Sequence, residues 1–337
     1  MAFMENREIS AELWKRMIEK TFTMPAFGVC DAWDNVMYET MVHDKTRLDS
    51  YRNVIKKWAK GKKVVDIDAG ATLPMTLICA EAGAESVYAV VPEKDAANQA
   101  EHLLDEKGLS HKVRIIEGDA LDVDLPEKVD ICVSEIIGEI GGCEGAAVIL
   151  QDAKRFLKDG GIMLPDRCVT KMVPVSFPDN VCHDEFADKL VRSHNVEHDP
   201  GTPGSCYRFF NFPESHFVSE PQIFEDIRFN ESKIFPEFAK SMSFPVLSDT
   251  GFDGLLLWIN LYVDSHTMID GFRGTCWAPF YMSCDEDKSF TLKKEDVMNL
   301  DCTVSLHKNS ICPDYIFKGK VYRNKENIRS FSFHYSY

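Results

Sequence analysis

Residues 64–72 read VVDIDAGAT, a short apolar run that ends in a small-residue turn. An apolar run of this length bounded by turn residues predicts a fully buried strand, as in a parallel sheet. Its neighbours repeat the theme. After the turn, Met75, Ile78, Cys79 and Ala82 fall at i, i+3, i+4 and i+7, which predicts a helix, with Pro74 near its start, where a missing amide hydrogen costs little. Residues 86–91 predict the next strand, and Ala97, Ala100 and Leu104 the next helix. Strands are expected at 113–116 and 129–133. A helix with Ala146, Ile149, Leu150, Ala153 and Leu157 on one face is expected to stop at Gly160-Gly161. Strands alternating with amphipathic helices give a parallel sheet covered on both faces.

Near Pro165 the pattern changes to all-β. Residues 255–264 and 315–322 predict long strands. In 329–337, Phe331, Phe333, Tyr335 and Tyr337 alternate with Ser330, Ser332, His334 and Ser336, so the aromatics share one face. Residues 183–215 interrupt this pattern with charge, Asp199-Pro200-Gly201 and Pro203-Gly204, and read as an excursion from the β domain.

A chain of 337 residues is long enough for two cores. It has no run of about 18 apolar residues, so no membrane span is expected. Glu5, Glu8, Glu12 and Glu19 near the start suit neither a signal peptide nor a transit peptide. Eleven cysteines without a CxxC pair argue against zinc and for reduced thiols, and hence for a cytoplasmic protein with no metal. The net charge of −16 disfavours direct DNA or RNA phosphate binding and favours basic partners such as arginine-rich peptides.

The turn at 64–72 gains specificity from the motifs that follow it: AEAGAESVYAV, KVDICVSEIIGEIGGCEG and LKDGGIMLPDR at 157–167. With MVHDKTRLDSYRNVI at 41–55 upstream and GTCWAPFYM at 274–282 downstream, their order and spacing resemble the protein arginine methyltransferases over nearly the whole chain. The resemblance implies an α/β fold: a helical segment at 1–45, a class I Rossmann-like, doubly wound methyltransferase domain at 46–165, and a β-barrel domain at 166–337. An inserted helical dimerisation arm at about 183–215 would dock on a second subunit.

It also implies site residues. Glu135 and Glu144 fall on the two glutamates of the family's acceptor hairpin, where paired carboxylates clamp a guanidinium. Glu139 is a third acid between them, and the loop also holds Gly138, Gly141, Gly142 and Cys143, the glycines read as turn residues. Arg47 aligns with the arginine that binds the cofactor's carboxylate. Of the family's GxGxG turn only Gly70 remains. Asp68 stands where the first glycine allows close backbone approach, and Val91 where an acid accepts the ribose hydroxyls. Glu93 lies two residues on, beyond Pro92. The tyrosines of the N-terminal helix motif are missing at Gly28, Val29, Cys30, Asp31 and Ala32. The Thr-His-Trp loop has become Thr275, Cys276 and Trp277, with Trp277 and Phe280 expected in the barrel core.

These losses resemble the catalytically dead "prozyme" subunit of a kinetoplastid type I arginine methyltransferase. The resemblance implies a regulatory subunit that binds no S-adenosylmethionine itself. It would form a heterodimer, assembled to a heterotetramer, with an active paralogue that makes asymmetric dimethylarginine in RNA-binding proteins. The alternative is an active S-adenosylmethionine-dependent methyltransferase with an altered cofactor pocket; a scaffold without chemistry is a third reading.

Overall fold

The computed structural model describes residues 2–25, 40–179, 181, 205–284, 290–307 and 310–336. Its first sheet is parallel, with strand order Val113–Glu117, Ser86–Val91, Lys63–Ile67, Val129–Ser134, Leu157–Leu164. Chain order runs outward from Lys63–Ile67 in one direction, then returns to its other side at Val129–Ser134. That reversal is a topological switch point, and it opens a crevice at the carboxyl ends of the central strands. Helices Lys45–Trp58, Pro74–Glu81, Lys94–Glu106 and Ala146–Ala153 belong to the same unit. Tyr51, Val54 and Ile55 of the first of these, and Ala97, Ala100 and Leu104 of the third, enter one core with the strands.

The fourth of these helices is shorter than its apolar spacing suggests. It ends at Ala153, a 3-10 turn takes Lys154–Phe156, and Leu157 opens a strand. Gly160 and Gly161 therefore lie inside a strand and do not terminate a helix. Gly160 has φ +75°, which only glycine adopts without strain, so the pair lets an edge strand bend.

Beyond Pro165 the described residues form antiparallel sheets. The larger has the order Phe22–Pro25, Cys206–Phe210, Phe280–Ser283, Gly254–Asp264, Arg167–Val175, Gln222–Arg228. The second joins Phe238–Pro245, Val297–Leu306, Pro313–Arg323 and Glu326–Ser336. Phe331, Phe333 and Tyr335 are buried and Ser330, Ser332 and His334 exposed, as the alternation requires; Tyr337 lies outside the described residues. Both sheets contribute to one core, with Leu255, Leu257 and Phe280 from the first and Leu300, Phe317 and Phe333 from the second. Among the described residues the ladders remain separate sheets, and no helix is long and apolar enough to cross a membrane.

Two stretches differ from their sequence reading. The N-terminal segment contains the helix Ala2–Glu19 but also the strand Phe22–Pro25, whose Phe22 and Met24 are buried. Of the excursion at 183–215, residues 183–204 lie outside the described residues, and Cys206–Phe210 is a strand within the larger sheet. It pairs with Phe22–Pro25 on one side and Phe280–Ser283 on the other. Asn211, just past it, donates to the carbonyls of Met17 (2.9 Å) and Lys20 (2.6 Å), closing the end of the first helix.

Candidate functional site

The strand Lys63–Ile67 delivers its turn to the mouth of the crevice. Asp68 there has φ +59° and Gly70 φ +64°. The backbone thus keeps the left-handed conformation that glycine enters freely, while position 68 carries a carboxylate and a Cβ. Asp is among the few residues that tolerate this region, at a cost on the order of 1 kcal/mol. Asp119 and Glu93 face the same place. Desolvation, and then these two like charges, push the Asp68 carboxyl above its ordinary range. Val91 is fully enclosed in the apolar core, and Glu93 is exposed at the start of Lys94–Glu106. A ligand at this turn would meet three acids and an apolar strand end. No ribose acceptor stands at position 91.

Across the crevice, the helix Lys45–Trp58 begins at Asp44. One carboxylate oxygen of Asp44 accepts from the Arg47 amide at 2.9 Å, a side-chain N-cap, and the other accepts from the Cys276 amide at 2.9 Å. Arg47 is buried, donates to the Met41 carbonyl at 3.0 Å and forms an ion pair with Glu135. Burial opposes its charge, but Glu135 and then Cys276 and Asp44 more than offset that, so Arg47 stays ionised. Burial pushes the Glu135 carboxyl up while Arg47 pulls it down, with a net rise. Tyr51, one turn along, donates to the Ser134 carbonyl at 3.1 Å and so fixes the helix against the strand that ends beside Glu135. Arg47 and Glu135, which the sequence resemblance expects on the cofactor and acceptor sides respectively, are therefore paired with each other.

The loop after Glu135 is packed on both sides. Trp277 donates from Nε1 to the Ile137 carbonyl at 2.6 Å. Cys276 and Trp277 pack with the parallel-sheet core, whereas Phe280 lies in the β-domain core; the sequence reading had put Trp277 with Phe280. Ile140 and Cys143 point into the β-domain core as well. Burial pushes the Cys143 thiol well up, which suits a packing residue and not a nucleophile. Gly141 and Gly142 lie in a turn, as their sequence reading expects, with the Cys143 amide donating to the Ile140 carbonyl at 2.9 Å, and Gly138 lies just ahead of it; none of the three has a positive φ. A Cβ on Gly138 would lie 2.3 Å from the Cys143 sulfur, and one on Gly142 2.9 Å from a Glu225 oxygen, so these positions are glycine for close approach.

Glu139, Cys143 and Glu144 bring ligand atoms within 4.8 Å of one another. Glu139 is almost wholly buried and forms an ion pair with Arg208 from the strand Cys206–Phe210. With one carboxylate paired to a guanidinium and the thiol held protonated, the cluster is a poor cation site. Burial, then Glu139 and Glu135, push the Glu144 carboxyl up to about 8. Behind the loop, Glu225 accepts from the Gly142 amide at 3.1 Å and the Thr170 hydroxyl at 3.0 Å, and burial pushes it to about 7.

The geometry thus gathers Arg47, Glu135 and Glu144 around one crevice and sets Asp68 and Gly70 at its mouth. Residues 28–32 lie outside the described residues. The sequence reading missed Asp44, Arg208 and Glu225. Asp44 has a signal, an Asp one residue ahead of a helix; Arg208 and Glu225 have none, because only the strand pairing brings them to the loop.

Residues 10–164 match the family model described as PRMT5 arginine-N-methyltransferase. The probable protein arginine N-methyltransferase 6 of Arabidopsis thaliana is 37% identical over 153 residues, covering 44% of this chain and 34% of that protein. Protein arginine N-methyltransferase 2 of Xenopus laevis is 30% identical over 190 residues, 54% of this chain and 42% of that one. The chain therefore spans well under half the length of the curated relatives it matches. Arabidopsis thaliana protein arginine methyltransferase 10, in an open conformation, superposes with TM-score 0.70 at 21% identity, over 88% of this chain and 97% of that one. The Trypanosoma brucei PRMT1 enzyme-prozyme heterotetrameric complex with AdoHcy gives 0.67 at 18% identity, over 88% and 97%. At those identities the two structures show that the fold is shared.

Proposed function

We propose that the chain is a non-catalytic, regulatory subunit of a protein arginine methyltransferase, a reading supported by the family model that residues 10–164 match and by the relatives named above. It pairs with an active paralogue, stabilises or activates it, and leaves the formation of asymmetric dimethylarginine to that partner. The observation that carries this reading is Asp68 at φ +59°: the turn keeps a glycine's backbone while a carboxylate occupies the approach. A cofactor that presents its own carboxylate there would meet the charge of Asp68, with Glu93 and Asp119 behind it. Val91 offers its ribose hydroxyls nothing to bond. The Arg47–Glu135 pair supports the reading too, since each group is spent on the other.

S-adenosylmethionine is accordingly taken up by the partner alone. The assembly follows the enzyme-prozyme kind named for the Trypanosoma brucei neighbour, a heterodimer built up to a heterotetramer. Its substrates are arginine-rich RNA-binding proteins in the cytoplasm, attracted in part by this chain's charge of −16.

The test is to purify the chain alone and co-expressed with candidate active paralogues, and to measure mass and methyl transfer for each. Complex formation with a gain in the paralogue's turnover supports the proposal. Methyl transfer by the chain alone points instead to an active enzyme with an altered pocket.

A further inference from the structure

We infer that Arg208 is an internal occupant of the acceptor-side pocket: its guanidinium fills the anionic space beside Glu139 and Glu144, in the manner of a bound arginine side chain. The strand Cys206–Phe210 sets this up. Tyr207 and Phe209 join an aromatic cluster with Phe212, Trp258 and Tyr281, and the alternation of the strand sends Arg208 to the opposite face. Its backbone stands in register with Met24 on one side and Phe280 on the other, so the side chain starts from a position fixed by two neighbouring strands. There it donates from Nε to Glu139, whose carboxylate is 2% exposed.

The charge count supports occupancy. The loop holds three acids, Glu135, Glu139 and Glu144, and two guanidiniums reach them. Arg47 takes Glu135 and Arg208 takes Glu139. Glu144, whose carboxyl burial and its acidic neighbours push up to about 8, carries mostly its proton at neutral pH. The pocket is then neutral, and nothing is left in it to attract a further arginine. Buried carboxylates that lose such a partner are strongly destabilised, because the remaining charge is left uncompensated. The vacated space would be guanidinium-sized and anionic, and the ligand class that fits it is a guanidinium cation. The inference rests on the reading of this hairpin as a vestigial acceptor loop.

The test uses the full chain with Arg208→Ala and guanidinium chloride at about 10 mM, far below denaturing concentrations, with equal sodium chloride as the control. The variant should melt lower than the parent in sodium chloride. Guanidinium should raise its melting temperature by about 2 °C or more over sodium, as a ligand bound only by the folded state does. The parent chain, whose site is filled, should show no such rise, and Arg208→Ala combined with Glu139→Gln should lose it. Should Arg208→Ala fail to fold, Arg208→Met keeps an aliphatic stem without the guanidinium and is read in the same way. Equal melting of the folded variants in the two salts, or an equal rise in the parent, overturns the inference. The readout needs neither a partner nor methyl transfer, so its failure leaves the regulatory-subunit reading standing, and the converse also holds.

Discussion

Asp44 and Cys276 join the two halves of the molecule through one hydrogen bond, the Cys276 amide donating to Asp44 at 2.9 Å. The same carboxylate caps the helix that carries Arg47. Asp44→Ala therefore removes a cap and leaves a buried amide unpaired, and should cost about 2–4 kcal/mol. Urea unfolding of the chain measures it, and Asp44→Asn, which keeps an acceptor, should recover part of the loss.

Arg47→Met leaves Glu135 without its cation in a largely enclosed place. A loss of about 3 kcal/mol is expected. Adding Glu135→Gln should return much of it, because the unpaired charge is then gone. A double-mutant cycle checks the coupling, and additive losses would contradict the pairing.

Changes meant to restore a cofactor site should act unequally. Asp68→Gly suits the positive φ and should change stability by less than about 1 kcal/mol. Val91→Glu places a carboxylate in a fully enclosed position and should cost about 3 kcal/mol. Calorimetry with S-adenosylmethionine should show no binding for the parent chain and at most weak binding for the double variant; micromolar binding by the parent would sink the proposed function.

Glu225 sets a pH dependence. Burial raises its folded pKa to about 7, above that of the unfolded chain. Below the unfolded value both states are protonated and the group contributes nothing. As pH rises from about 4.5 to 7, the unfolded chain gives up its proton while the folded one holds it, so stability falls by up to about 1.4 kcal/mol per pH unit. Glu225→Gln keeps an oxygen for Gly142 and Thr170 and should flatten the profile by that amount. Unfolding free energies at pH 5, 6 and 7 decide it.

An excision that tests assembly must stop at 204, because a cut through 215 would remove the strand that bears Arg208. With 183–204 replaced by a short linker, both sheets should fold, as circular dichroism would show. Complex formation with the active paralogue should fail by light scattering. Full-size complex with full activity would remove the arm from the account.

The parallel sheet was legible because strands buried on both faces must be continuously apolar, as 87–91 is. The last strand was legible for the opposite reason, since one wet face forces the alternation from Ser330 to Ser336. Leu157 misled because Ala146, Ile149, Leu150 and Ala153 continue onto it at helical spacing, and a glycine pair reads equally as a stop or as a bend in an edge strand. At the site, Glu135, Glu144, Arg47 and Asp68 came from motif order. Their partners did not: Arg208 is 69 residues from Glu139, and Glu225 is 83 from Gly142. Pairings across such distances are set by strand register, which local spacing does not encode.

Among the described residues, the strand Phe22–Pro25 pairs with Tyr207–Phe210 alone, and Thr21 bonds to Asn211 across 190 residues. During synthesis at about 5–20 residues per second, the early strand waits roughly 10–40 s for its mate. During that interval Phe22 and Met24 have no ladder partner, while the strands of the parallel sheet, the last ending at Leu164, are all made before it closes. A chaperone that holds the nascent chain would meet Phe22–Pro25 unpaired until Cys206–Phe210 emerges, with Phe280–Ser283 and the second sheet still to follow.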